Sequence, residues 1–304
     1  MKLISKKESL KQSIPLISLM CALNIVLSVV ATYLPITGIF IFLFLPLIST
    51  LLSLNIKYRY YPIYFICSLG LSLLVTMGDI SYTLLFLFPS LIIGFILSIF
   101  INKKLDYYLA FIITSLIIFL INLGLIPLLD FIFATNTISI FLKIFNLSNN
   151  ETITIFIPSI IYLISAIQMF IVLIITINEV KKLGYIFIFR NIDNLLLSII
   201  SIISDWICIG FLFFNLKISY IFLFISLVIS ILMILELYRD KSKIPFILSL
   251  ITIPLGWLIY IICMNNMSLE SSFISLVSIP SLISLISIFI YFFNEYKLKN
   301  NLTK

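Results

Sequence analysis

Asp205 is the residue whose type and position pose a chemical problem. It lies about eleven residues into the apolar run 194–215, where it is the only charge. At 1.5 Å per helical residue that depth is about 17 Å, close to the centre of a bilayer. An ionisable side chain there costs roughly 2.5–3.5 kcal/mol on insertion scales, so such a residue marks function by default. No Lys or Arg falls inside any apolar run of the chain, and no buried salt bridge is on offer. The carboxyl must then be protonated, hydrogen-bonded to neighbours such as Ser201 one turn earlier, or exposed to a wet cavity. Two roles stay open: a proton or cation site, or a neutral acid that joins helices by hydrogen bonds worth ~0.6 kcal/mol.

Other polar residues also lie within apolar runs. Asn24, Asn122, Tyr162 and Gln168 are candidates to line a polar cavity shared by the first, fifth and sixth spans, or else to serve singly as helix-packing hydrogen bonds. Asp79, at the tip of a hairpin, is an outer-loop candidate whose plain alternative is a solvated carboxylate. Ser18 and Ala22 form a small-xxx-small pair on the first span, a helix-packing candidate. Trp206 and Trp257 lie within spans and are not assigned a ligand.

What is missing narrows the chemistry further. The chain has no histidine, which removes Ser-His-Asp and Cys-His catalysis, HExxH zinc sites and histidine proton shuttles. Cys21, Cys67, Cys208 and Cys263 are far apart with no CxxC pair, so they read as packing residues rather than a metal set. GxxxxGK[ST], GxGxxG and GxSxG are all absent, and any ATP-driven role needs a partner. No catalytic residue, metal or cofactor is expected, and the chain is not expected to be an enzyme. A carboxylate mechanism would need a second buried acid near Asp205, and the spans offer none.

These residues must be held by membrane-spanning helices. Of the 304 residues, 62% are hydrophobic and 10% charged, and the mean hydropathy is +1.28. Soluble domains average about 25% charged, so a water-facing surface cannot be built and a soluble enzyme or nucleic-acid module is excluded. A span needs about 20 apolar residues. The expected spans are 13–33, 37–56, 61–78, 82–102, 108–129, 153–178, 194–215, 218–236, 244–264 and 272–293, giving an all-α polytopic membrane protein of about ten helices. Charge tests that count independently. With a cytoplasmic N-terminus, every basic residue except Lys143 and Lys217 falls inside, while Asp79, Asp130, Glu151 and Glu270 fall outside. This positive-inside bias puts both termini in the cytoplasm and makes the net charge of +7 a topology signal. The first span is too long, and lacks a small-x-small site, to read as a cleaved signal peptide.

Three regions follow. Residues 1–182 form a six-helix bundle that includes an outer interfacial segment, 131–150. There Ile138, Phe141, Leu142 and Phe145 recur at helical spacing, as in a helix lying on the membrane. Residues 183–193 form a cytoplasmic aromatic linker carrying Arg190 and Asp193. Residues 194–304 form a four-helix C-terminal region.

Several stretches carry a family resemblance. They are Leu16-Ile-Ser-Leu-Met-Cys-Ala-Leu-Asn-Ile-Val-Leu, Tyr33-Leu-Pro-Ile-Thr-Gly, Phe44-Leu-Pro-Leu and Phe88-Pro-Ser-Leu-Ile-Ile-Gly-Phe-Ile-Leu-Ser-Ile-Phe, the last running to Lys103-Lys104. Together they resemble the YybS-like family of uncharacterised membrane proteins from Gram-positive bacteria. More distantly they are similar to the substrate-binding S components of energy-coupling-factor transporters, over roughly residues 13–182. The S-component likeness implies a six-helix bundle that binds a vitamin or metabolite. It also implies a first helix, here bearing Ser18 and Ala22, that packs on a membrane coupling subunit joined to two ATPases. The usual run of alanines is missing and four further spans follow residue 190, both departures from a bare S component.

The expected function is that of a bacterial inner-membrane protein that binds or transports a small molecule in an S-component-like manner. The alternative is a structural or assembly protein, a scaffold of an envelope complex without transport. Its expected surroundings are the lipid bilayer and membrane protein partners, with no nucleic acid.

Overall fold

The computed structural model describes residues 9–77, 80–134, 136, 139, 151–184, 194–239, 243–265 and 272–302. Ten long helices account for most of them: α1 Leu10–Tyr33, α2 Pro35–Asn55, α3 Tyr61–Val75, α4 Phe88–Asn102, α5 Tyr107–Phe133, α6 Glu151–Lys182, α7 Asn194–Phe211, α8 Leu216–Arg239, α9 Lys243–Met264 and α10 Ser278–Leu302. Eight coincide with an expected span to within about four residues at either end, while α4 begins six residues later than its span and α10 begins six and ends nine residues later than its own. Among the described residues seven helices are long and apolar enough to cross a membrane. At 15 and 18 residues, α3 and α7 fall short of the ~20 residues that a perpendicular crossing takes. The chain is an all-α, multi-pass membrane protein.

Local chemistry sets the helix ends. Ser9 accepts from the Gln12 amide at 3.3 Å to cap α1. Asp106 accepts from the Tyr108 and Leu109 amides at 2.6 and 3.3 Å to cap α5, and Asn215 does the same for α8 through Lys217 and Ile218. Such caps satisfy amides that have no partner inside the helix. Ala134 closes α5 in the left-handed region, with φ 51°.

The fourth span is not one regular helix. A helical turn at Ile80–Tyr82 leads into a π-helical stretch, Thr83–Leu87, before α4 begins. Pro89 stands one residue past that start. It lacks the N–H that would close on the Leu85 carbonyl, and the turn upstream widens as a result.

The chain divides into two compact units. The first comprises residues 1–146 and 164–190, the second 147–163 and 191–304. The long helix α6 therefore contributes its turns up to Leu163 to the second unit and the remainder to the first. Phe156 shows the former, its ring lying 4.3 Å from Tyr220 and 5.3 Å from Phe273.

In the first unit α2 and α4 make the closest approach. Ser90, Gly94 and Ser98 recur at four-residue spacing on α4, and the two serines are fully buried. A Cβ on Gly94 would lie 2.3 Å from the Ser49 Cβ and 2.7 Å from the Pro46 carbonyl oxygen. One turn along, Ser53 and Ser98 share a hydrogen bond of 2.6 Å. Without a hydrophobic drive between helices in lipid, small residues that let backbones meet are what hold such pairs together.

Candidate functional site

Asp205 is buried, with 3% of its surface exposed. The sequence of α7 explains why. Leu196, Ile199, Ile203, Trp206 and Ile209 lie on its exposed face, at the three- and four-residue spacing of one helical stripe. Ser198, Ser201, Asp205 and Cys208 fill the opposite, buried face. In lipid this is the expected sense, with the apolar stripe outward and the polar one against α8 and α10.

The hydrogen-bond partner of Asp205 differs from the local one expected. Ser281 of α10 donates to Asp205 Oδ2 at 2.8 Å. Ser201 makes no such bond: its Oγ, like Asp205 Oδ1, is buried without a partner. Ser226 of α8 also faces the carboxyl. Three helices thus converge on one acid. Farther along the α7–α8 seam, Ser219 donates to the Cys208 carbonyl at 2.7 Å and Ser198 to the Met233 sulfur at 3.4 Å.

Glu236 is a second buried acid that its sequence position does not reveal. Near the end of α8, it is 2% exposed and pairs with Arg239 one turn on. Glu236 is the last residue of the expected span 218–236, a place that gives no sign of burial. It stands ten residues beyond Ser226, about 15 Å along the helix, and so does not complete a carboxylate pair with Asp205.

The other candidates lie on α1, α5 and α6. Asn24 belongs to a network at the centre of the first unit. Its Nδ2 donates to the Tyr64 hydroxyl at 2.6 Å and to Ser68 Oγ at 3.3 Å. Tyr64 and Ser49 hydroxyls lie 3.2 Å apart, and Ser68 donates to the Cys21 sulfur at 3.2 Å. This ties α1, α2 and α3 together. Asn122 instead donates to Ser165 of α6 at 3.4 Å. Gln168 is buried with Nε2 unpartnered. Tyr162 lies in the part of α6 that belongs to the second unit. Asn24 and Asn122 thus have separate hydrogen-bond partners, on α3 and on α6. Tyr64→Phe is expected to lower the stability of the purified protein by about 1 kcal/mol, read from thermal unfolding. It removes the hydroxyl that both Asn24 and Ser49 use, and membrane hydrogen bonds average ~0.6 and reach ~1.7 kcal/mol.

Ser18 and Ala22 lie on the exposed face of α1; the face turned into the unit carries Ile17, Cys21, Asn24 and Ser28. They pack on no helix of this unit. Trp206 is 71% exposed. Asp79, most of segment 131–150, and linker residues 185–193 lie outside the described residues. At the start of that outer segment Phe131 is 89% exposed, still within α5.

The second unit also holds a cavity of about 260 Å³ between α8, α9 and α10. Leu227, Ile231, Ile253, Trp257 and Ile283 wall it, and Ser230 adds one hydroxyl. It does not include Asp205. Its aliphatic walls offer too few polar groups to orient a metabolite. Among the described residues no cluster of three or more His, Cys, Asp or Glu could hold a metal ion.

Residues 22–157 match the family model described as "Predicted membrane protein (DUF2232)". No curated protein and no solved structure matches the chain.

Proposed function

We propose that this is a bacterial inner-membrane transport protein, not an enzyme. Its first half takes a small molecule in the manner of an S component, and Asp205 binds a proton or cation. One observation carries the reading. The Asp205 carboxyl is buried at mid-span with one oxygen held by Ser281 and the other unpartnered. A carboxyl kept only to join helices gains little from such a place, since an unsatisfied buried oxygen costs about 1–3 kcal/mol while the bond it makes returns less. The resemblance to the YybS-like family and to S components supports a vitamin- or metabolite-sized substrate and a membrane coupling partner.

A thermal-shift screen of the purified protein against vitamins and metabolites tests it. A ligand present at 100 times its Kd raises stability by about 2.7 kcal/mol, a shift of several degrees. A substrate hit that loses its effect in Gln168→Leu or Asn122→Leu supports the first half as the binding region. No hit, with Asp205→Asn behaving as wild type in cells, would sink the proposal.

The alternative is an assembly scaffold of an envelope complex. The exposed small-residue face at Ser18 and Ala22 favours a partner helix. That reading predicts a stable complex on pull-down that Ala22→Leu breaks and Asp205→Asn leaves intact.

A further inference from the structure

We propose that Asp205 anchors a site for a monovalent metal cation, completed by the hydroxyl oxygens of Ser201, Ser226 and Ser281. The inference rests on the reading of Asp205 as an ion-binding group and specifies the ion.

Donor and acceptor accounting leads there. A serine hydroxyl has one hydrogen to give and two lone pairs to offer. Ser281 spends its hydrogen on Asp205 Oδ2. Ser226 spends its own on the Leu223 carbonyl at 2.9 Å. Neighbouring serines back-bond to their own helix in the same way, as Ser204 does to Ile200 and Ser284 to Pro280. Ser201 is an exception: its Oγ is fully buried, one turn from Asp205 on the same face, and reaches no carbonyl. Asp205 Oδ1 is buried and unpartnered as well. Around the carboxyl, then, oxygens from three helices converge, and both Asp205 Oδ1 and Ser201 Oγ are buried with no partner. A positive ligand bound between them would satisfy both.

Charge decides its valence. The carboxylate supplies one negative charge. Among the described residues facing it, α8 contributes Ser226 and α10 contributes Ser281. On α7 the nearest titratable group is Cys208, whose sulfur lies against Ser219 at 3.3 Å. Glu236 is about 15 Å farther along α8 and is paired with Arg239. One positive charge balances the site. A divalent ion would leave a net charge in the bilayer core, at a cost of roughly 2.5–3.5 kcal/mol or more. Oxygen ligands alone, without nitrogen or sulfur, are those of hard cations. A proton would sit on one carboxyl oxygen, whereas a metal ion draws on Oδ1 and the three hydroxyl oxygens together.

The test is a thermal-unfolding titration of the full-length purified protein at pH 8 and constant ionic strength, with choline replaced by Na⁺, Li⁺ or K⁺. Na⁺ is expected to raise the unfolding temperature along a saturating curve that choline does not reproduce, and Mg²⁺ and Ca²⁺ are expected to add nothing. Ser201→Ala should raise the half-saturating Na⁺ concentration about tenfold, and Asp205→Asn should abolish the response. Equilibrium binding of radioactive Na⁺ to Ser201→Ala serves if Asp205→Asn fails to fold. Stabilisation by acid with no effect of any alkali cation would overturn the metal assignment and leave an ion-binding Asp205 standing. Stabilisation by Mg²⁺ or Ca²⁺ would overturn the charge argument. No response to cation or pH would overturn both this inference and the ion-binding reading.

Discussion

Gly94→Leu is expected to stop the first unit from assembling, with little folded protein recovered from membranes. Where a Cβ at this position would sit, the Ser49 Cβ lies 2.3 Å away, the Pro46 carbonyl oxygen 2.7 Å and the Thr50 amide nitrogen 2.9 Å. Two of these three atoms are backbone, which cannot rotate aside as a side-chain tip can. The helices must separate, and that breaks the 2.6 Å bond between Ser53 and Ser98 and opens the contacts of Leu52 and Leu91, both fully buried. Overpacking alone costs about 1–3 kcal/mol, and losing the interface adds to it. Gly94→Ala should therefore be destabilised by about 1–3 kcal/mol and Gly94→Leu by more. Gly70→Leu is the control: nothing lies within 4 Å of a Cβ there, and its yield and unfolding temperature should match wild type. Fluorescence-detected size exclusion reads the yield.

The second large effect falls on Asp205. Asp205→Asn keeps the shape of the side chain and an oxygen for Ser281 to donate to at 2.8 Å, but removes the negative charge. Groups kept for function are commonly held at a cost to stability. The variant is accordingly expected to fold, and to unfold in ion-free buffer at the wild-type temperature or above it. Its response to ions should be lost entirely. A structural acid predicts the reverse pattern, a lower unfolding temperature and no functional change. Thermal unfolding of the two proteins side by side, with and without ions, separates the cases.

The helices themselves were legible because hydrocarbon thickness dictates their length and the charges dictate their order. Partners were not. The four-residue spacing of small side chains occurs on α1 at Ser18 and Ala22 and on α4 at Ser90, Gly94 and Ser98, yet only the second meets another helix of the first unit. Spacing marks a face that a backbone can approach and says nothing about what approaches it. Asp205 shows the same limit. Its depth follows from counting residues, but the partner expected was the neighbour one turn away. The hydrogen bond found is to Ser281, 76 positions later in the chain. Glu236 was hidden for a different reason: hydropathy gives the last residues of a run to water, whereas this one is folded back against its helix with Arg239. The π stretch at Thr83–Leu87 was readable from Pro89 in principle, since a missing donor must loosen the turn before it.

The central claim is that the mid-membrane carboxyl of Asp205 takes up an ion. Proteoliposomes adsorbed on a solid-supported membrane and given a sudden jump in Na⁺ or in proton concentration test it most directly. Binding at that depth moves charge through part of the bilayer. Wild type should give a transient current that saturates with ion concentration, and Asp205→Asn should give none beyond that of empty liposomes. Currents of equal size from both proteins, or from neither, would contradict the claim.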